Sequence, residues 1–203
     1  IVTYQALDML KASHKDYASF MAVFTPNVIC VPAASPYATL ADLMKAMKEK
    51  AVTVASAGTG SGGHQAAELF RMNTGLQYRH EPYQRGAPAV TATVRGEVET
   101  IMQLSMEVTE MLRAKQLRAL AVMDSEPLEV EGYGSIPPIT QWVPKFPSVG
   151  NRFGFFIPKD IPAEALEAIT KAFTTAVNSP AIKKFAADKE TPCLIVDLDR
   201  RFD

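Results

Sequence analysis

The sequence contains little of several residue types on which special chemistry depends. Its 203 residues include two cysteines, three histidines and one tryptophan, and aromatic residues make up 8% of the chain. Neither sign of charge dominates, since there are 21 lysines and arginines and 22 aspartates and glutamates. This balance excludes a strongly basic protein that binds nucleic acid or anionic membranes as the default interpretation.

Long apolar runs are also missing. The longest stretches, residues 28–34 and 117–123, have the length of strands, whereas a membrane-spanning helix needs roughly 18 residues. The chain begins without a basic segment or a small-residue cleavage site, so we interpret it as a mature or partial chain in which an export signal would not be visible. The apolar share of 47% fits one globular domain or two small lobes.

The scarce reactive residues form no recognisable catalytic or metal-binding set. Cys30 and Cys193 lie in apolar runs, which favours buried thiols over a disulfide. The histidines form no metal-ligand pattern, and no nucleophile elbow is present. Glu107 and Glu110 share a helix face, and a solvated face explains them better than acid–base catalysis. We therefore predict no catalytic residue, no metal and no cofactor.

Strands and helices alternate through the first two thirds of the sequence. Leu40, Leu43 and Met47 recur at helical spacing after Thr39, a plausible N-cap, and Asp42 follows in the first turn. Short links join the remaining segments, which predicts an α/β sheet with crossover helices. We expect strands at residues 28–31, 52–56, 76–80, 98–103, 117–123 and 153–157, and helices at about 64–73, from 86, at 105–114, from 160 and at 181–187. Residues 124–149 are rich in proline and are expected to be irregular.

A glycine-rich loop at residues 57–63 joins a predicted strand to a predicted helix. Backbone N–H groups converge at a helix N-terminus, and this geometry suits a phosphate or a carboxylate. No lysine of a P-loop follows, and no acidic residue closes the next strand as a dinucleotide site requires. A glycine-rich turn without a ligand is the simpler alternative.

Three side chains of this loop could assist binding, and each has a structural alternative. Ser61 could cap the helix, direct its hydroxyl at a ligand, or do both. Thr59 could simply face solvent. His64 lies in the first helical turn, where a cation would be unfavourable, so we expect it to be neutral. A structural hydrogen bond explains His64 at least as well as ligand contact.

A second loop repeats the arrangement after the next predicted strand. Gly86 and Ala87 precede Pro88, which suits the first turn of a helix, so this helix N-terminus is a second possible anion site. Arg85 could attract a carboxylate, although a solvated surface charge is slightly the better interpretation. Tyr83 is more often a packed aromatic residue than a ligand contact.

These loops resemble a known family. Residues 56–64, with the sequence SAGTGSGGH, and the stretch from His80 through Pro82, Tyr83 and Gly86 to Ala89 are similar to segments of the Bug-family receptors of tripartite tricarboxylate transporters. Further matching segments begin near residues 25, 96, 115 and 153, so the resemblance covers nearly the whole chain.

The resemblance implies an α/β protein of the type II periplasmic-binding-protein class with a ligand cleft between two lobes. The family is not enzymatic. Its members lie outside the cytoplasm, bind a small carboxylate, and deliver it to membrane permease subunits. No nucleic acid is involved, and we expect the full-length protein to be a monomer. Lobe two would comprise residues 28–121, and a partial lobe one would comprise residues 1–27 and 122–203, with a hinge in the strands near residues 28–31 and 117–122.

Carried over residue by residue, the resemblance implies a ligand site. The implied ligand-binding residues are Ser56, Thr59, Gly60, Ser61, His64, Tyr83, Gly86, Ala87 and Gln103. Gln103 stands where family members often have an aspartate that can recognise a ligand amine, so its presence argues against an amino-acid ligand. The family's opening strand and its carboxylate-binding loop do not appear in this sequence.

Two other classes of protein remain possible. The effector domain of a LysR-type transcription regulator shares the two-lobed architecture, but it would require an N-terminal helix-turn-helix. An α/β enzyme acting on a phosphorylated substrate would require a base in the pocket, for which His64 is the candidate.

Overall fold

The computed structural model describes residue 11 and residues 13–188. Cys193, which was predicted to be a buried thiol, lies outside the described residues, as does the end of the chain. In chain order, the strands are β1 (Tyr17–Pro32), β2 (Val52–Ser56), β3 (Tyr78–Pro82), β4 (Thr100–Leu104), β5 (Leu117–Val122), β6 (Leu128–Val130), β7 (Gly134–Ile136) and β8 (Gly150–Pro158). The α-helices are α1 (Leu40–Glu49), α2 (Gly62–Thr74), α3 (Gly86–Val94), α4 (Ser105–Arg113), α5 (Ala163–Val177) and α6 (Pro180–Asp188).

The described chain divides into two compact units. One contains Thr25–Asn151, and the described residues before and after it belong to the other. The first unit contains the whole of the predicted lobe two, residues 28–121, together with residues 25–27 and 122–151, which the sequence analysis assigned to lobe one. The chain passes between the units within β1 and within β8. The lobe and hinge assignment stays a prediction.

In the unit of residues 25–151, a sheet has the strand order β3-β2-β4-β1-β5. Strand β2 runs parallel to β3 and to β4, whereas β1 is antiparallel to β4 and β5. All five residues of β2 and of β4 are buried, because helices cover both faces of the sheet. Alternate residues of each strand therefore enter two separate cores. Ile29, Val54 and Met102 pack in one core, and Cys30 and Ile101 pack in the other.

The helix ends follow the sequence signals closely. Thr39 and Asp42 form a reciprocal capping box at the start of α1, as predicted. Ser61 caps α2, and Gly75 ends that helix in the left-handed conformation at φ 72°. Cys30 is a free, fully buried thiol, and burial raises its pKa, as expected for an inert structural cysteine.

A polar cluster around Glu99 stabilises the end of this sheet where β2 and β4 begin. The Glu99 carboxylate accepts hydrogen bonds from the Tyr37 hydroxyl at 2.9 Å, from Lys50 Nζ at 2.5 Å and from the Thr53 N–H at 3.1 Å. Burial opposes ionisation of Glu99, but these donors outweigh it and lower the pKa of the carboxyl group. With its polar groups paired in this way, this end is structural and leaves the opposite, carboxyl end for a ligand.

The other unit combines the beginning of β1, most of β8, and helices α5 and α6. Strand β8 pairs with β1, and Phe20 and Phe155 both pack edge-to-face on Phe173 of α5. Ser179 accepts a hydrogen bond from the Ile182 N–H at the start of α6, in agreement with the predicted cap. Among the described residues, no helix is both long and apolar enough to cross a membrane.

Candidate ligand-binding site

The glycine-rich loop and the second loop lie at the same edge of the sheet. Because β2 and β3 are parallel neighbours, the loops that follow them leave from the same end. The two loops also contact each other. The Tyr83 N–H donates to Ser56 O at 2.9 Å, and a side-chain carbon at Gly58 would lie 3.1 Å from Tyr83 O. Gln103, near the end of β4, lies at this edge as well.

Most polar groups of the glycine-rich loop are already paired within the loop. The Gly58 N–H donates to Ser56 Oγ at 3.2 Å, and the Ser61 N–H donates to Gly58 O at 3.1 Å. The Gly60 N–H donates to Nδ1 of His64 at 3.0 Å, with Gly60 at φ 79°, a conformation that favours glycine. The N–H of Gly60 is therefore occupied, and further unpaired donors lie at the start of the following helix.

Those donors are the first backbone N–H groups of α2. Ser61 Oγ accepts from the His64 N–H at 3.3 Å, which satisfies one of the groups left open at the start of the helix. The N–H groups of Gly62 and Gly63 make no hydrogen bond within the described residues. They stand at the positive end of the α2 dipole, where an anion is favoured.

Helix α3 offers a second pair of open donors. Its N-cap residue, Arg85, is exposed and makes no capping hydrogen bond with its side chain. The N–H groups of Gly86 and Ala87 have no partner among the described residues, and Pro88 has no N–H. A helix start without a side-chain cap favours an anion, and the carboxylate of Glu107 lies against this one.

Two stacked histidines contact the glycine-rich loop. The rings of His64 and His80 lie 4.1 Å apart and almost parallel, at 3°. His80 Nε2 lies 2.7 Å from Ser56 Oγ. Because Nδ1 of His64 accepts a hydrogen bond, that nitrogen carries no proton, in agreement with the expected neutral ring. Sequence analysis gave His80 no role; its place in the cluster depends on the register of β2 and β3, in which Val54 is opposite His80.

The His80 ring makes stability depend on pH. Burial lowers the pKa of His80. The unfolded chain therefore binds more protons than the folded one as the pH falls below the ordinary histidine range, and the stability present above that range is lost. We expect the free energy of unfolding to decrease on acidification from pH 7.5 to 5.5, by at most about 1.4 kcal/mol per pH unit for this one proton.

Chemical denaturation at several pH values measures this dependence. The variant His80→Gln keeps a hydrogen-bonding amide near Ser56 but cannot be charged, so its pH profile should be flatter than that of the wild type. Profiles with the same slope would show that His80 does not contribute.

Gln103 joins the two helix starts. Its side chain is 2% exposed, and its Nε2 donates to the carboxylate of Glu107. Its Oε1 faces Gly63 and has no hydrogen-bond partner among the described residues. The neighbouring Asn27 is fully buried; it donates through Nδ2 to Met102 O at 3.2 Å, and its Oδ1 is also unpaired.

Glu107 is exposed, in agreement with the predicted solvated face, but its carboxylate also contacts a second helix. A side-chain carbon at Gly86 would lie 2.6 Å from both carboxylate oxygens, so the carboxylate lies directly against the start of α3. Burial at that contact raises the pKa of Glu107, although the hydrogen bond from Gln103 counteracts the effect. Glu110 does face solvent and pairs with Arg113 at 3.0 Å. Helical spacing alone could not separate the two glutamates, because Gly86 is distant in sequence.

The remaining predicted site residues lie around these donors. Thr59 and Ala87 are exposed, and Thr59 makes no side-chain hydrogen bond within the described residues. Ser56 is buried, and its hydroxyl is engaged by Gly58 and His80. Tyr83 is half-buried, and burial raises its pKa. Their roles as ligand contacts stay predictions. Among the described residues, no group of three metal-binding side chains comes together.

Comparison with known proteins shows the family to which the chain belongs. Residues 2–197 match the family described as "Tripartite tricarboxylate transporter family receptor". The chain belongs to this receptor family. The resemblance of its two loops to the receptors of these transporters is thereby confirmed.

A curated relative and two solved structures are similar to the chain. An uncharacterised protein of Pseudomonas sp. strain P51, from the tcbD-tcbE intergenic region, is 29% identical over 177 residues, which cover 84% of this chain and 51% of the relative. A TctC solute-binding protein from Polaromonas has a TM-score of 0.80 at 23% identity, covering 96% of this chain and 67% of that one. MatC from Rhodopseudomonas palustris, solved with bound malate, has a TM-score of 0.79 at 20% identity, covering 95% of this chain and 66% of that one.

These likenesses confirm the predicted fold class, an α/β fold of the type II periplasmic-binding-protein kind. The chain spans about half the length of the curated relatives it matches.

Proposed function

We propose that the protein is an extracytoplasmic receptor that captures a small organic carboxylate and delivers it to the permease subunits of a tripartite tricarboxylate-type transporter. One observation carries the proposal. The open N–H groups of Gly62 and Gly63 on α2, and of Gly86 and Ala87 on α3, lie at one edge of the sheet. Two positive helix ends side by side favour a carboxylate over a neutral solute.

The family and the neighbours support the choice of ligand class and the absence of catalysis. The match to transporter receptors points to transport, and MatC was solved with the dicarboxylate malate. Ser56 Oγ lies 2.7 Å from His80 Nε2, but Ser56 is fully buried and its hydroxyl also pairs with Gly58, so this pair does not face a bound solute. The protein in this proposal binds its solute without changing it, and the full-length receptor acts as a monomer.

A thermal-shift experiment tests the proposal. The intact protein is heated with malate, succinate, citrate or benzoate, and separately with malamide and succinamide, which keep the shape but lose the charge. A ligand that binds the native state alone raises the melting temperature. We expect at least one acid to raise it and the matched amide to leave it unchanged. The carboxylate assignment would be overturned if the amides raised the melting temperature as much as the acids do. It would also be overturned if none of the acids raised it.

A further inference from the structure

A carboxylate that forms no ion pair within the described residues lies against the start of α3. Glu107 lies against Gly86, and within the described part of the chain it forms no ion pair with a lysine, arginine or histidine. Its one hydrogen-bond partner there is the neutral amide of Gln103. A charged group at the ligand edge without a counter-charge therefore attracts a donor or a cation from outside the chain.

Two further hydrogen-bond acceptors, near β4 and the start of α2, lack a donor within the described residues. Gln103 Oε1 and Asn27 Oδ1 are both buried and unpaired, and Gln103 donates to Glu107 through its amide nitrogen. Native proteins leave few buried polar atoms without a partner, so each such atom indicates a missing donor. The open backbone donors and these open acceptors lie next to each other, which divides the site into an anion-binding part and a donor-binding part.

We infer that Glu107, positioned by Gln103, is a specificity-determining residue that accepts a hydrogen bond from an ammonium or hydroxyl group on the carboxylate ligand. The inference rests on the proposed function, because the carboxylate of the same ligand binds the helix starts. A plain dicarboxylate gives the Glu107 carboxylate no donor and brings a second negative charge toward it. An amino- or hydroxy-substituted acid supplies a donor to that carboxylate. The inference thus includes amino-acid ligands, which the absence of an aspartate at position 103 had argued against.

The alternative is a purely structural role. Glu107 lies in the first turn of its own helix, α4, where an acidic residue interacts favourably with the helix dipole. In that case, removal of the charge would change stability but would not change the preference among ligands.

The test uses three acids that differ at one carbon. Succinate, malate and aspartate carry hydrogen, hydroxyl and ammonium at the same position, and calorimetry on the intact protein gives the affinity for each. Glutarate, 2-hydroxyglutarate and glutamate form a second series in case the site needs a longer chain. The variant Glu107→Gln removes the charge at nearly constant shape, and Glu110→Gln removes a charge one turn further along α4, where it faces solvent.

We expect the wild type to prefer the ammonium or the hydroxyl acid, and Glu107→Gln to reduce that preference about tenfold to a hundredfold relative to the plain acid. Glu110→Gln should leave it unchanged. Comparison of aspartate with malate identifies which donor is recognised.

Four results would overturn the inference. The affinities for all acids could change equally in Glu107→Gln, which would make the residue a general repulsive charge. Glu107→Gln could change the melting temperature without changing the preference, which would make the residue structural. If acids bind with no preference for a donor, the inference fails while the proposed function stands; if no acid of either series or of the thermal-shift panel binds, both fail.

Discussion

Gly63→Ala is expected to lower the free energy of unfolding by about 1–3 kcal/mol. The added carbon would lie 2.7 Å from the backbone oxygen of Met102 and closer still to Gln103 Oε1. A backbone oxygen in the middle of a buried strand cannot move aside as a surface side chain can, so α2 would have to shift away from β4. The position requires glycine because the helix start approaches the sheet closely there.

The adjacent Gly62 supplies the matched control. A carbon added at Gly62 would meet the side chain of Asn151 at 2.9 Å, and a side chain can rotate away. Gly62→Ala also gains helix propensity, so its free energy of unfolding should stay the same or rise slightly. Denaturant titration of both variants measures the difference. Equal stability of the two variants would show that the contact between Gly63 and Met102 does not constrain the fold.

Gly62→Pro is expected to weaken binding of the carboxylate ligand by about ten- to a hundredfold, because it removes one open backbone donor. A hydrogen bond to a charged group contributes about 1.5–3 kcal/mol. The helix should tolerate the change, since proline suits the first helical position and the preceding Ser61 has the extended backbone, at φ −67° and ψ 164°, that a residue before proline prefers.

Gly62→Ala is the control here too, because it places a similar carbon near Asn151 but keeps the N–H group. Calorimetry with whichever acid gives the largest thermal shift compares the two variants. If proline and alanine weaken binding equally, the effect comes from the side chain, and the N–H group of Gly62 does not bind the ligand.

Local signals were sufficient to predict most of the fold. The cap residues Thr39 and Ser61 and the helix-ending Gly75 marked helix boundaries correctly, because capping depends on neighbours in sequence. Strand β3 was placed two residues too early. Proline was expected to stop it, but β3 is an edge strand, where a missing N–H is tolerated, so Pro82 is its last residue. The proline-rich stretch was expected to be irregular, yet it contains the β6–β7 hairpin.

The candidate site was predictable only in part, for a related reason. The sequence marked the two helix starts through their glycines and through Ser61, which act locally. It gave Glu107, His80 and Asn27 no role in the site, since each acquires its role from a partner distant in sequence: Gly86 for Glu107, Ser56 for His80 and Met102 for Asn27. The expectation that Gly60 offers its N–H to a ligand also changed, because the His64 ring accepts that hydrogen bond.

The central claim is that the first N–H groups of α2 and α3 bind the carboxylate. Nitrogen-15 NMR of the intact protein tests it most directly, by following the amide resonances as the acid selected by thermal shift is added. The account predicts downfield shifts of the amide protons of Gly62, Gly63, Gly86 and Ala87, while Gly75 and Gly96, at the far ends of these helices, stay unchanged. Saturable binding that leaves those four resonances in place would contradict the account.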